Sequence, residues 1–190
     1  MKAHWIEEPT SYDGSQLRAH WIRRTTGVIG DAVVAFRGPC DVSAVEMADL
    51  VDLLDGPGIA GDDMVHFVCE VFDDGDLGRA VLRQRLQAGT ALEVLRGMAP
   101  DANYRREGDD LYVDDRKLSI SIATRSLVST LIHFAVNVVT SGTPVPTAGL
   151  GELGVDPREF AERLLGAMEQ EERSMTEARC QVRAKDEYGG

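Results

Sequence analysis

The chain has 190 residues, of which 43% are hydrophobic and 27% charged, and its formal net charge is −12 at pH 7. This length suits a single domain over residues 1–190 with its own hydrophobic core, followed within that span by a polar tail from about residue 171. The acidic balance argues against nucleic-acid binding, because proteins that hold the phosphate backbone neutralise it with clustered lysine and arginine.

The beginning of the chain, MKAHWIEEPTSYDG, has neither the basic and apolar regions of an export signal nor the character of a transit peptide. We therefore expect a cytoplasmic protein. No apolar run approaches the roughly 20 residues that a membrane span needs, so no membrane partner is expected. Three widely spaced cysteines predict reduced thiols rather than a disulfide framework.

The first predicted elements are a strand and a helix. AVVAF at 32–36 reads as a buried strand, which the following Gly-Pro pair ends. Ser43 and Glu46 have the spacing of a capping box, so a helix should begin there and end at DGPG, residues 55–58.

The next two elements have clear periodicity. MVHFVCEVF at 64–72 predicts a strand with His66 and Glu70 on one face, because successive strand residues point in opposite directions. LGRAVLRQRLQAGTALEVLRGM, residues 77–98, carries apolar residues close to helical spacing and should be the longest helix.

The last elements are a hairpin, a strand and a helix. Asp114 and Asp115 suit a tight turn between LYV and KLSISIA, and the next strand is LIHFAVNVV. Asp156 followed by proline predicts the cap of a closing helix. This alternation of strands and helices indicates an α/β domain.

Lys117 is one of three lysines in a chain with seventeen arginines. By alternation it shares a strand face with Ser119 and Ser121, while His133 and Asn137 share a face of the next strand. If the two strands pair antiparallel, these five side chains meet. An ammonium, hydroxyls and an amide suit an anionic or carbonyl ligand, although a half-solvated sheet face would have the same pattern.

The segment GDDLYVDDRKLSISIA resembles the part of biotin protein ligases in which an Asn-Asp-Leu-Tyr turn precedes an Arg-Lys-Leu strand. Residues 117–138 are also similar to lipoate-forming octanoyltransferases, with His133 and Asn137 on that family's His and Asn. The resemblance covers roughly residues 30–170, and the chain is similar as well to a small uncharacterised family that shares this fold.

The resemblance implies a mixed, largely antiparallel sheet flanked by helices (α+β), related to class II aminoacyl-tRNA synthetases. It implies that Lys117 contacts an acyl carboxylate, and that a homodimer and a carrier-protein partner are possible. Two departures stand against it. FRGPCDV at 36–42 has one arginine and one glycine where biotin ligases carry a Gly-Arg-rich adenylate loop, so the use of ATP stays open. The octanoyltransferase Pro-Cys-Gly turn corresponds here to residues 146–149, which lack the thiol.

Other residues are weaker candidates. Arg37 and Gly38 are expected beside the ligand, and Cys40, next to a cation, is either a nucleophile or a small buried thiol. His66 and Glu70 are either an orienting pair or structural residues. A zinc site that combines Cys40, His66, Cys69 and His133 is not expected, because His66 and Cys69 point to opposite faces of one strand.

Three functions follow from these patterns. The first is a ligase- or acyltransferase-like protein that binds a carboxylate or acyl small molecule, with Lys117 and His133 as catalytic residues. The second is a binding module without catalysis, which fits the changed adenylate loop. The third is a metal-dependent hydrolase.

Overall fold

The computed structural model describes residues 1–56 and 58–183. Its strands are β1 (Lys2–Trp5), β2 (Ala32–Val42), β3 (Ile59–Val71), β4 (Tyr104–Glu107), β5 (Asp110–Val113), β6 (Arg116–Lys117), β7 (Ser119–Arg125) and β8 (Thr130–Asn137). Its helices are α1 (Trp21–Thr26), α2 (Leu50–Asp55), α3 (Leu77–Met98) and α4 (Pro157–Gln181).

A five-stranded sheet in the order β1-β2-β3-β8-β7 forms the centre of the fold. β1 and β2 are parallel, and the other three pairs are antiparallel. The strands β4, β5 and β6 form a second, antiparallel sheet. Helices α3 and α4 pack against the large sheet and each other, which confirms the expected mixed, largely antiparallel sheet flanked by helices.

The pleat of β3 divides the interior into two apolar clusters. Val65, Phe67 and Cys69 join the core that contains α3 and α4, whereas Met64 and Val68 belong to a cluster on the opposite sheet face. β8 divides in the same way. The expected alternation of both strands is therefore correct.

The predicted end of the first strand is wrong. β2 continues past Pro39 to Val42, through a register shift between Gly38 and Cys40. Proline is tolerated there because a bulge does not require its missing N–H.

The predicted start of the next helix is also wrong. Ser43 and Glu46 form a turn, and α2 begins only at Leu50. Asp49 caps it, since its carboxylate accepts hydrogen bonds from the N–H groups of Val51 and Asp52. The end at Asp55 is as predicted, whereas Pro57 of the DGPG stretch lies outside the described residues.

The predicted hairpin forms, but its strands are divided between two sheets. β5 and β6 flank the turn at Asp114, which has φ 52°. Leu118 is fully buried and separates β6 from β7, and β7 then joins the large sheet beside β8. Lys117 and Ser119 therefore belong to different sheets.

The two long helices differ from expectation in detail. α3 has the predicted bounds, but with 22 residues it is shorter than α4, which has 25, so the prediction that it is the longest helix is wrong. Leu92 and Leu95 are buried as expected, together with three alanines and two glutamines, whereas Leu77 and Leu82 are exposed. α4 starts at the predicted cap and continues through most of the expected tail. No helix of the described residues has the length and apolar character needed to cross a membrane.

Candidate functional site

A cavity of about 370 Å³ lies on the sheet face opposite α3 and α4. Residues of β3, β7 and β8, among them Met64, Ile120 and His133, form its floor. Lys117, the start of β5, the residues before α2 and a loop at 143–147 form its walls. Its volume is in the range of cavities that bind small molecules.

Lys117 lines this cavity, with its side chain 31% exposed and its Nζ 2.9 Å from an Asp110 carboxylate oxygen. Burial lowers the pKa of Lys117, but the hydrogen bond and charge of Asp110 outweigh it, so the pKa is raised. Burial is the main cause that raises the pKa of Asp110. The raised pKa keeps the lysine a cation at neutral pH, with the carboxyl group of Asp110 beside it.

Asn137 lines the cavity next to Lys117, but its amide is engaged within the protein. Its Nδ2 donates to the carbonyl oxygens of Lys117, at 3.3 Å, and Ala148, at 3.2 Å. The residue is buried, and its bond to the Lys117 carbonyl oxygen joins β8 to β6. The side chain of Asn137 therefore positions the strand that carries the lysine.

The two serines do not share a face with His133 and Asn137. Ser119 pairs with Val136 and Ser121 with Phe134, so both lie on the helix-packed side of the sheet. Ser119 is fully buried, and its hydroxyl accepts a hydrogen bond from the Leu111 N–H. The sheet change at Leu118 is the reason, because Lys117 does not continue the alternation of β7.

Ser121 still reaches the edge of the cavity. Its hydroxyl donates to the His133 carbonyl oxygen at 3.1 Å and accepts from the Gln84 amide at 3.0 Å. These bonds tie α3 to the edge strand.

A chain of hydrogen bonds joins His133, His66 and Gly38 beneath the cavity. His66 Nδ1 lies 3.1 Å from His133 Nε2, and His66 Nε2 lies 3.1 Å from the Gly38 carbonyl oxygen. Both histidines are almost completely buried, and His133 also lines the cavity. Burial lowers the pKa of His66 to about 4, against the raising effect of the bond to Gly38. Burial, followed by the neighbouring His66, places the pKa of His133 well below its ordinary value.

Tyr12 covers one side of this pair, a contact that no pattern in the sequence predicts. Its ring is stacked on His133 with centroids 3.6 Å apart and planes 7° apart, and it also stacks on His66. Backbone bonds to Pro39 and Asp41 hold Tyr12 against β2. Tyr12 lies in an irregular segment with no periodic pattern, so only the three-dimensional structure reveals the contact.

Glu70 does not orient His66, contrary to one expectation. The two residues share a face, but four residues along a strand span about 13 Å. Glu70 instead accepts hydrogen bonds from the His20 N–H and the Ser129 hydroxyl. It fastens the segment before α1 to the sheet.

Arg37 and Gly38 do not line the cavity, so they do not lie beside a ligand there as expected. Arg37 is exposed and lies on the sheet face opposite the cavity, where its Nη2 is 2.5 Å from an Asp63 carboxylate oxygen. Gly38 packs so closely that an added Cβ would lie 2.2 Å from the Thr10 carbonyl oxygen. Its carbonyl group reaches the site only through His66.

Cys40 has the environment of a structural thiol. It is buried, and burial raises its pKa to about 12. A thiol in this environment is not ionised at neutral pH, which favours the small buried thiol over the nucleophile among the two expectations for Cys40. Among the described residues, no group of three or more His, Cys, Asp or Glu side chains is arranged to hold a metal ion.

The walls of the cavity are acidic. Among the described residues that line it, five are carboxylates and one is a cation, Lys117; the carboxylates are Glu46, Asp49, Asp52, Asp109 and Asp110. Arg18 pairs with Glu46, and Arg85 pairs with Asp109 at 2.6 Å. The remaining negative charge disfavours ligands with several negative charges.

The chain is similar in sequence and in structure to known proteins. A family model described as a domain of unknown function, DUF366, matches residues 1–183. An uncharacterised protein, MJ0805, of Methanocaldococcus jannaschii is 35% identical over 161 residues, which are 82% of this chain and 72% of that protein. A protein of unknown function from Pyrococcus horikoshi has a solved structure with 43% identity and a TM-score of 0.92, covering 96% of this chain and 98% of that one.

More distant structures share the fold. Biotin protein ligase from Aquifex aeolicus, solved with biotin and ATP, has a TM-score of 0.57 at 14% identity, over 89% of this chain and 69% of that one. A putative lipoate protein ligase from T. acidophilum with bound lipoic acid has a TM-score of 0.54 at 15% identity, over 90% of this chain and 85% of that one. The chain therefore belongs to the DUF366 family, and its fold is that of the biotin and lipoate ligases.

Proposed function

We propose that the cavity beside Lys117 binds a small molecule with a carboxylate or acyl carbonyl group, on which the protein acts as a ligase or acyltransferase. The observation that carries this proposal is a partly exposed, charged ammonium in the wall of a cavity of ligand size. An ammonium there would stabilise the negative charge that develops when an acyl carbonyl is attacked.

The setting of Lys117 supports this role. An ammonium has three N–H donors, and Asp110 occupies one of them, which leaves donors for a ligand oxygen. The backbone around it is fixed, because its N–H donates to Pro146 and its carbonyl group accepts from Ala148. A fixed backbone holds the charge at a defined place, which both binding and catalysis require.

The ligands of the similar structures are consistent with such a site. Those structures contain biotin and lipoic acid, and each of these molecules has a carboxylate at the end of an aliphatic chain. A shared fold does not by itself transfer a substrate, so Lys117 and the cavity are the features that support this function.

Binding without catalysis is the second candidate. The acidic lining and the position of Arg37 outside the cavity favour binding without catalysis. A nucleoside triphosphate such as ATP needs positive charge around its phosphates, and Lys117 is the one cation among the described residues of the lining. Use of ATP and delivery to a carrier protein belong to the first candidate only. The metal-dependent hydrolase has no supporting cluster within the described part of the chain.

Calorimetry with octanoate, lipoate and biotin, each with and without magnesium ATP, tests the proposal. We expect at least one acid to bind, and Lys117→Met to weaken that binding by about tenfold or more. Lys2→Met is the matched control, since Lys2 lies on β1 at the far edge of the sheet. Pyrophosphate release that depends on the acid would favour the ligase over the binding module. Binding that survives Lys117→Met would contradict the proposal.

A further inference from the structure

The hydrogen-bond chain below the cavity fixes the tautomers of both histidines. A carbonyl oxygen only accepts, so His66 Nε2 must carry the proton that it donates to Gly38. With both rings neutral, His66 Nδ1 is then an acceptor, and His133 Nε2 must donate to it. The other tautomer of His133 would direct two lone pairs at each other across 3.1 Å. His133 Nδ1 is therefore left without a proton.

This nitrogen has no partner inside the protein. Within residues 1–56 and 58–183, no hydrogen bond involves His133 Nδ1, although the residue is only 2% exposed. The unpartnered side-chain atoms that are sealed from solvent in the same residues belong to Trp5 and Gln87. His133 Nδ1 is not one of them, so it is reached from the cavity that its residue lines. A ligand that donates an N–H or O–H to this nitrogen would give it the hydrogen-bond partner that the protein does not supply.

His133 and the backbone of Lys117 lie at different places along the cavity. Asn137, which adjoins Lys117, and His133 are four residues apart on the same face of β8, or about 13 Å. The floor near them is apolar and includes Ile120 and Met64. The shape is that of a site for an elongated molecule with a polar group at each end.

We infer that His133 Nδ1 is a fixed hydrogen-bond acceptor that selects ligands with an N–H or O–H group at the end away from Lys117. The carboxylate end of that ligand rests on the proposed function, whereas the donor end rests on the histidines alone. His133 determines specificity, and His66 is a positioning residue that acts through it. A plain fatty acyl chain leaves this acceptor unpaired and should be disfavoured.

Nitrogen-15 NMR of the unliganded protein tests the fixed tautomer directly. We expect both histidines to carry the proton on Nε2. His66→Gln keeps an acceptor for His133 and a donor for Gly38, so the His133 tautomer should persist. His66→Leu removes both, and His133 should then become a mixture of tautomers. A proton on His133 Nδ1 in the natural protein would overturn the inference.

A matched ligand pair tests the selectivity. Octanoate and ω-hydroxyoctanoate differ by one terminal hydroxyl, and longer pairs extend the series along the cavity. We expect the hydroxy acid of the best length to bind about tenfold more tightly than its parent, and the ratio to approach one in His133→Phe. His66→Gln should retain the ratio and His66→Leu should lose it. The Phe side chain keeps a ring for Tyr12 to stack on, and thermal melting checks that each variant is folded.

The outcomes separate the two proposals. Equal binding of each pair that depends on Lys117 overturns the acceptor but leaves the carboxylate site intact. A hydroxyl preference that survives Lys117→Met, with neither acid bound more weakly than by the natural protein, supports the acceptor and contradicts the carboxylate contact. Failure of every acid in the series to bind contradicts both.

Discussion

The Lys117 ammonium lies 2.9 Å from the Asp110 carboxylate at the wall of the cavity, with the two side chains 31% and 24% exposed. This ion pair is partly desolvated, and the carboxylate competes with any bound anion for the same charge. Lys117 is also the single cation among the described residues that line the cavity. We therefore expect Asp110 to set how strongly the proposed site attracts a carboxylate.

Asp110→Asn should strengthen the binding of a carboxylate ligand. The amide keeps the shape of the side chain but removes the competing charge, so the ammonium is left for the ligand. We expect the dissociation constant of the best-binding acid to fall severalfold, measured by calorimetry at neutral pH. Asp115→Asn, in the exposed turn of the same hairpin, is the matched control and should have no effect. Weaker binding in Asp110→Asn would mean that the carboxylate positions the lysine rather than competing for it.

Cys40 should be unreactive in the folded protein. It is buried and its pKa is raised by burial, whereas Cys180 is exposed near the end of α4. Iodoacetamide at neutral pH should label Cys180 quickly and leave Cys40 and Cys69 unlabelled until the protein is unfolded. Peptide mass spectrometry after timed quenching measures this. Rapid labelling of Cys40 in the native state would restore it as a candidate nucleophile.

Local patterns predicted much of the fold because they act within one element. The alternation of β3 and β8 and the bounds of α3 follow from residues a few positions apart, and the structure confirms them. The antiparallel pairing of β7 with β8 is also as expected. Lys117, His133 and Asn137 do line one cavity, while their roles remain proposals.

The incorrect predictions about the site concern contacts between different strands and loops. A single buried residue, Leu118, moves the chain from one sheet to another and turns Ser119 away from His133. The pairing of His66 with His133 joins residues 67 positions apart, and Tyr12 comes from an irregular segment. Such contacts depend on the register of three strands at once, which no local pattern contains. The distance that separates His66 from Glu70 could have been foreseen, because four strand residues exceed the reach of a side-chain pair.

Gly38→Ala should destabilise the protein and disturb the histidine chain. A Cβ at this position would lie 2.2 Å from the Thr10 carbonyl oxygen, a backbone atom, so the strand must shift. The shift moves the carbonyl that accepts from His66. We expect the free energy of unfolding in urea to fall by about 2 kcal/mol or more.

Gly89→Ala is the matched control for this substitution. Gly89 lies inside α3, and an added Cβ there meets nothing within 4 Å. Alanine is the better helix former by about 1 kcal/mol, so this variant should be as stable as the natural protein or more stable. If Gly38→Ala were equally well tolerated, the tight approach of Thr10 to β2 would not be required.

The buried histidines should make the protein sensitive to mild acid. Both have pKa values lowered in the folded state, that of His66 to about 4, so the unfolded chain binds their protons more readily. The free energy of unfolding is not reduced by these histidines above their ordinary pKa of about 6.5, and it decreases as the pH falls towards 4. The loss is up to about 1.4 kcal/mol per pH unit for each histidine. Asp110, whose pKa burial raises, acts in the opposite direction, since protonation relieves its cost.

Urea unfolding across this pH range measures the effect, and His66→Gln identifies its source. The glutamine keeps both hydrogen bonds but does not titrate, so the decline of stability with falling pH should become shallower by about half if the two histidines contribute equally. His4→Gln replaces an exposed histidine and should leave the decline unchanged. An equally steep decline in His66→Gln would show that the acid sensitivity arises at other groups, and that His66 is not held neutral by its burial against His133.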